Sequence, residues 1–208
     1  MPAVVLHTEA FVLLKRPPAE AFQSCALFSR EHGVLTVFLR VPKKAASSRA
    51  ALDLFDEAAC ALESSSQGRT WFVREARVIA RATAVGRSYE ALMAASTLAG
   101  IVIRNPTAPD GRAAIASLLR TALSAFGGAT DPAAVLFKSV YRFARDEGYP
   151  VAQQWLPSLP GELREAAAHL LRTPLAELPP AAARPPSTAL LQRRLEDYLR
   201  ENTEILLD

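Results

Sequence analysis

Between Glu31 and Asp53 the chain carries no acidic residue, and Arg40, Lys43, Lys44 and Arg49 all fall in that interval. Cations without counter-charges suit a polyanion: each neutralises a phosphate and releases a counterion, giving an attraction that ignores base sequence and weakens with salt. The small residues Ala45, Ala46, Ser47 and Ser48 lie among them and let a phosphate backbone come close. Lys15 and Arg16 stand at the expected end of the first strand and form the margin of this patch. Phe38 lies two residues before Arg40, on the same strand face, where its ring can stack a base. The competing reading is a solvated loop that keeps the domain soluble, with Phe38 in the core.

Other chemistry finds little support. There is no GxxxxGK[ST], GxGxxG or GxSxG, so phosphate-cradling, dinucleotide and nucleophile-elbow motifs are absent. Glu9, Glu20 and Glu31 are carboxylates with no acid–base partner in evidence. The expectation is a protein that is not an enzyme. The two cysteines, Cys25 and Cys60, sit in apolar runs without a CxxC pair, and His7, His32 and His169 are scattered. A structural zinc takes about four clustered ligands, so neither metal nor cofactor is expected. Two such thiols suit a reducing cytosol, a disulfide between neighbouring strands being the alternative.

The elements that must hold these residues fall into two sets. Leu35, Val37, Leu39 and Val41 alternate with Thr36, Phe38 and Arg40, the period of a half-buried strand. Ala10–Lys15 and Phe22–Ser29 precede it, parted by Pro17-Pro18, and Glu31-His32-Gly33 makes the turn into it. Leu52–Leu62 reads as a fourth strand by position, although its alanines suit a helix, and Thr70–Ala80 as a fifth. Five short strands predict a small closed barrel, with the cations on the loop between strands three and four.

From Tyr89 the period becomes helical. Ile115, Leu118, Leu119, Ala122, Leu123 and Phe126 form one stripe. Asp131-Pro132 predicts an N-cap and first turn for a helix that turns Leu136, Phe137, Val140 and Tyr141 inward and closes at Gly148. Leu163, Ala166, Ala167, Leu170 and Leu171 make another stripe. Thr173–Pro186, with five prolines, reads as a strap before a last helix capped by Ser187 and bearing Leu191, Leu195, Tyr198 and Leu199. The expected domains are 1–82, a barrel, and 83–208, all helical, with the strap at 173–186.

Composition sets the bounds. Half of the 208 residues are hydrophobic and 22% charged, an ordinary globular balance. A net charge of +3 and a pI near 9.1 are only mildly basic, so the argument rests on where the cations lie. MPAVVLHTEAF lacks the pattern of a signal peptide. The longest apolar stretch, Ala91–Ile103, falls short of the roughly 20 residues that span a bilayer. A soluble, cytoplasmic protein is expected.

Glu9–Lys44, followed by Ala51–Glu63 and Arg69–Ile79, resembles the N-terminal half of the RecO recombination mediators. Leu27-Phe28-Ser29-Arg30-Glu31-His32-Gly33 matches that family's strand ending and turn. Arg40 and Lys43-Lys44 occupy its basic positions, and Arg74-Glu75-Ala76 stands where its last strand carries Glu-Ala. The likeness covers about the first 105 residues in order, with a weaker echo from Leu136-Phe137 to Gly148-Tyr149. Val41-Pro42 replaces the family's loop glycine. The four cysteines that some members place after Gly-Tyr are absent, and the C-terminal region is acidic.

The resemblance implies an OB-fold barrel and a helical domain that bind single- and double-stranded DNA and anneal complementary strands. It also implies help in loading recombinase onto DNA coated by single-stranded-DNA-binding protein, with a RecR-type mediator as partner and a place in the bacterial cytosol or nucleoid. Arg112 and Arg120 on one helix, and Lys138, Arg142 and Arg145 on the next, are the cations expected to dock the acidic, Phe-ending tail of single-stranded-DNA-binding protein. Two alternatives stand beside this: an interaction scaffold whose barrel has lost DNA affinity, and an OB barrel that binds RNA.

Overall fold

The computed structural model of the chain describes residues 4–41, 52–65, 70–128, 131–177 and 187–208. Its class is α+β, with strands first and helices after. Among the described residues β1 (Val5–Lys15), β2 (Phe22–Ser29), β3 (Gly33–Arg40), β4 (Glu57–Ser64) and β5 (Trp71–Ala80) close into a barrel in the order β1-β2-β3-β5-β4. Neighbours run antiparallel except β3 and β5, which are parallel. Closure gives each strand a partner on both sides, which hides the edges that would otherwise recruit another chain.

The two-residue period decides what enters the barrel. Ala10, Val12, Cys25, Leu27, Val37, Ala58, Cys60 and Leu62 fill its interior with Leu52, and Leu35, Leu39, Trp71 and Val73 pack against them. Two boundaries differ from the sequence pattern. β1 starts at Val5 rather than Ala10, because Val5–Phe11 pairs with β4 while Ala10–Lys15 pairs with β2. The fourth strand starts at Glu57, so Leu52–Asp56 is not strand. The Asp56 carboxylate accepts the Asp53 amide at 2.9 Å and Asp53 accepts the Leu54 amide at 2.7 Å. Such side-chain bonds compete with a ladder and favour a turn. Phe55 sits within it at φ 66°, a left-handed conformation for a residue that is itself buried.

The turn between β2 and β3 is fastened from within. The Thr8 hydroxyl donates to Glu31 Oε2 at 2.5 Å and lies 2.6 Å from Ser29 Oγ, which contacts the same carboxylate at 3.1 Å. The Thr8 bond, ahead of the Ser29 and backbone bonds, holds the Glu31 carboxyl below the ordinary range, against the opposing effect of burial. Gly33 has φ +70°, and a Cβ there would stand 3.2 Å from Arg112 Nε. Arg112 Nη1 donates to the Glu31 carbonyl at 2.6 Å. Residue contacts accordingly group Pro106–Ala116 with Met1–Ala82, although 83–208 reads from sequence as one helical domain.

The second unit comprises Thr83–Asn105 and Ser117–Asp208. Ser88 caps α1 (Tyr89–Arg104) by accepting the Ala91 amide at 3.2 Å. The stripe on α2 (Arg112–Gly128) is buried in full, from Ile115 to Phe126. Asp131 caps α3 (Pro132–Asp146) through the Ala134 amide at 3.1 Å, with Pro132 in the first turn. Gly148, at φ +91°, closes it. A π-helical turn, Val151–Trp155, leads into the short α4 (Leu156–Ser158), and Trp155 packs on Phe137 and Tyr141 with ring centroids 6.0 and 5.9 Å away. α5 (Gly161–Arg172) and α6 (Ser187–Asn202) follow, α6 burying Leu191, Leu195 and Leu199. Among the described residues no helix is long and apolar enough to cross a membrane.

Candidate nucleic-acid interface

Alternation leaves the barrel an outer face, and on β2, β3 and β5 that face carries phenylalanines. Val5, Glu63, Phe72, Phe38 and Ser24 stand opposite one another in a row crossing all five strands. Phe22 pairs with Arg40 on the neighbouring strand. The Phe22 and Phe72 ring centroids lie 5.5 Å apart in an edge-on contact, and those of Phe38 and Phe72 5.9 Å apart. Phe22 remains 38% exposed, the other two half-buried. A hydrophobic surface of this kind, left open on a barrel wall, is a platform on which bases can stack, each worth about 1–3 kcal/mol.

Charged groups frame the rings. Arg40 is exposed and makes no ion pair among the described residues. A register shift between Ala61 and Leu62 makes Arg74 the extra residue of β5, and its Nε pairs with Glu63 Oε2 at 3.1 Å. With Arg74 58% exposed, that pair adds little stability. His7, Ala61 and Glu75 form a second outward row, in which the small Ala61 leaves space. Together these residues line an open groove of about 610 Å³.

The cations named from sequence fare differently. Arg16 is exposed on the β1–β2 connection. Lys15 is engaged: a bulge between Val12 and Leu14 sets it opposite the interior Cys25, and its ammonium donates to the Leu52 carbonyl at 2.7 Å and meets Asp53 at 3.5 Å. It ties β1 to the segment preceding β4, so little of its charge faces outward. Lys43, Lys44 and Arg49 lie outside the described residues. At the start of their loop the Val41 amide donates to the Ala21 carbonyl at 2.8 Å.

Among the helical cations, Arg112, Lys138, Arg142 and Arg145 have partners within the chain. Arg112 belongs to the fastening of the β2–β3 turn. Lys138 donates to the carbonyls of Leu170, Leu171 and Thr173 at 2.7, 3.2 and 2.5 Å, satisfying acceptors at the end of α5. Arg142 and Arg145 share Asp146, at 3.3 and 2.7 Å. Arg120 is exposed on α2.

Phe22, Phe72 and Arg74 are the residues that sequence reasoning passed over. The doublet Trp71-Phe72 held a clue, since alternation sends one ring inward and the other out, and here Trp71 packs on the core. The thiols lie inside the barrel: burial raises the Cys25 pKa against the nearby Lys15 charge, and pushes that of Cys60 up to about 11. Among the described residues no group of three or more His, Cys, Asp and Glu is placed to hold a metal. No family model and no curated protein sequence matches the chain.

Proposed function

We propose that this chain is a non-catalytic protein that binds single-stranded nucleic acid on the outer wall of its barrel, and that it serves recombinational DNA repair as the RecO mediators it resembles do. The observation carrying the reading is the Phe22, Phe38 and Phe72 surface framed by Arg40 and Arg74. The ring of strands in the order β1-β2-β3-β5-β4, parallel only between β3 and β5, supports reading the barrel as an OB-fold. OB-folds take oligonucleotides on strands two and three and on the flanking loops, where Arg16 stands here.

In this reading the phenylalanines hold bases unstacked from their neighbours, and Arg40 and Arg16, with Lys43, Lys44 and Arg49 from the following loop, neutralise phosphates. Neutralisation lowers the repulsion between two strands, and a grip made chiefly through phosphates and base faces leaves most base edges free to pair. Annealing of complementary strands follows from both. Contact with duplex DNA, with a RecR-type partner and with the tail of single-stranded-DNA-binding protein rests on the resemblance. For the tail, Arg112, Lys138, Arg142 and Arg145 lend little, because each is already bonded within the chain.

The test is annealing of fluorescent complementary oligonucleotides, with binding measured at several salt concentrations. Neutralising each phosphate-contacting cation should flatten the slope of log affinity against log salt by about 0.7 for a single strand. Arg40→Ala is expected to do so once, and Lys43→Ala with Lys44→Ala twice. An unchanged slope in both variants refutes the phosphate assignment. Absence of binding at low salt refutes the function.

A further inference from the structure

We infer that the barrel groove selects guanine within a single strand, reading the base edge with Glu75 and Arg74 while the phenylalanines hold its face. The inference rests on the single-strand reading above and adds the identity of the preferred base.

A groove built only to grip a phosphate backbone has no use for carboxylates, which repel phosphates. This one is lined by two, Glu63 and Glu75, on the same wall as Phe72. Their acceptor oxygens instead suit the N–H groups on a base edge. The rings exclude a second occupant, a cation held in an aromatic cage. At 5.5 and 5.9 Å between centroids they pack on each other and leave no space between them for an ammonium group. What they present is an apolar surface of inclined rings, on one of which a base can rest.

The two carboxylates differ in availability. Glu63 Oε2 is engaged by Arg74 Nε at 3.1 Å. Glu75 is exposed, lies opposite the small Ala61, and makes no ion pair among the described residues. A free carboxylate offers two parallel acceptors. Guanine alone among the DNA bases presents two adjacent donors, N1–H and N2–H, on one edge. Adenine and cytosine offer one amino group, and thymine a single imide N–H. Arg74, held through Nε, keeps its terminal guanidinium nitrogens for O6 and N7, the acceptors on guanine that arginine reads in two-point contacts. Donor and acceptor in the groove thus favour the same base.

The test uses the full chain and a nine-nucleotide all-thymine DNA, compared with the same strand carrying one central guanine, hypoxanthine, adenine or cytosine, by fluorescence anisotropy. One guanine should tighten binding about tenfold over thymine, adenine and cytosine. Hypoxanthine, which lacks the N2 amine, should lose most of that gain. Glu75→Gln should remove most of the preference, while removal of a phosphate-repelling charge raises affinity for the all-thymine strand. Equal affinities for all bases, or a preference undiminished by Glu75→Gln, overturn the guanine assignment and leave single-strand binding standing. Failure to bind any of the strands overturns both.

Discussion

Replacing Phe22 with alanine separates stacking from charge and from folding. The residue is 38% exposed, so roughly three-fifths of it is covered, part of that by the edge-on contact with Phe72. Burying a whole phenylalanine is worth about 1.5–3 kcal/mol, which puts the lost burial at about 1–2 kcal/mol. The aromatic pair adds about 0.5–1 kcal/mol more. Chemical denaturation should therefore report a loss near 2 kcal/mol, leaving a folded protein. Binding of a single-stranded oligonucleotide should weaken by about 1–3 kcal/mol, a factor between roughly 5 and 150, if a base rests on this ring. The salt dependence decides the mechanism. A phenylalanine releases no counterion, so the slope of log affinity against log salt should stay as in the parent protein, in contrast to Arg40→Ala. Unchanged affinity in a folded Phe22→Ala protein would refute the stacking surface. A flattened slope would show that the ring acted by placing a cation.

Gly33→Ala should destabilise the barrel by about 1–2 kcal/mol or more in chemical denaturation, since φ is +70° and the new methyl would press on Arg112 at 3.2 Å; unaltered stability would remove the turn from the set of fixed points. Glu31, whose carboxyl is held low by Thr8, contributes stability that is present above the ordinary value of 4.5 and is lost as pH falls through its lower folded-state value. Thr8→Ala should diminish that acid-side loss in pH-dependent unfolding, and identical profiles would count against the bond. With Cys60 pushed to about 11, roughly one thiol in a thousand is ionised at pH 8, so iodoacetamide should label neither Cys60 nor the interior Cys25 until the barrel unfolds. Rapid labelling of the native protein would show the interior to be open.

Local pattern carried much of the architecture and stopped where chains of contacts begin. The strand period at Leu35, Val37 and Leu39 and the stripe from Ile115 to Phe126 each state which side faces a core, because burial enforces the geometry of strand and helix at every turn. Asp131-Pro132 likewise marks a helix start through chemistry confined to four residues. The same method read Leu52–Leu62 as one strand and missed the turn at Asp53–Asp56, where two carboxylates accept backbone amides. For the site it singled out Phe38 and Arg40, whose shared face is a property of one strand.

Sequence alone thus determined the order of strands and helices, the inward sides of most of them, and the run of cations without counter-charges from Arg40 to Arg49. Tertiary structure alone decided which side chains meet. Phe22, Phe38 and Phe72 become one surface only because β2 pairs with β3 and β3 lies parallel to β5, pairings that join residues up to fifty positions apart. It also decided which cations remain available: a one-residue bulge turns Lys15 toward the barrel end, and Lys138 is consumed by carbonyls more than thirty residues away. A periodic pattern records the side a residue faces. It holds no record of the partner found there, because that partner is set by long-range pairing and by the unpaired polar groups that pairing leaves to be satisfied.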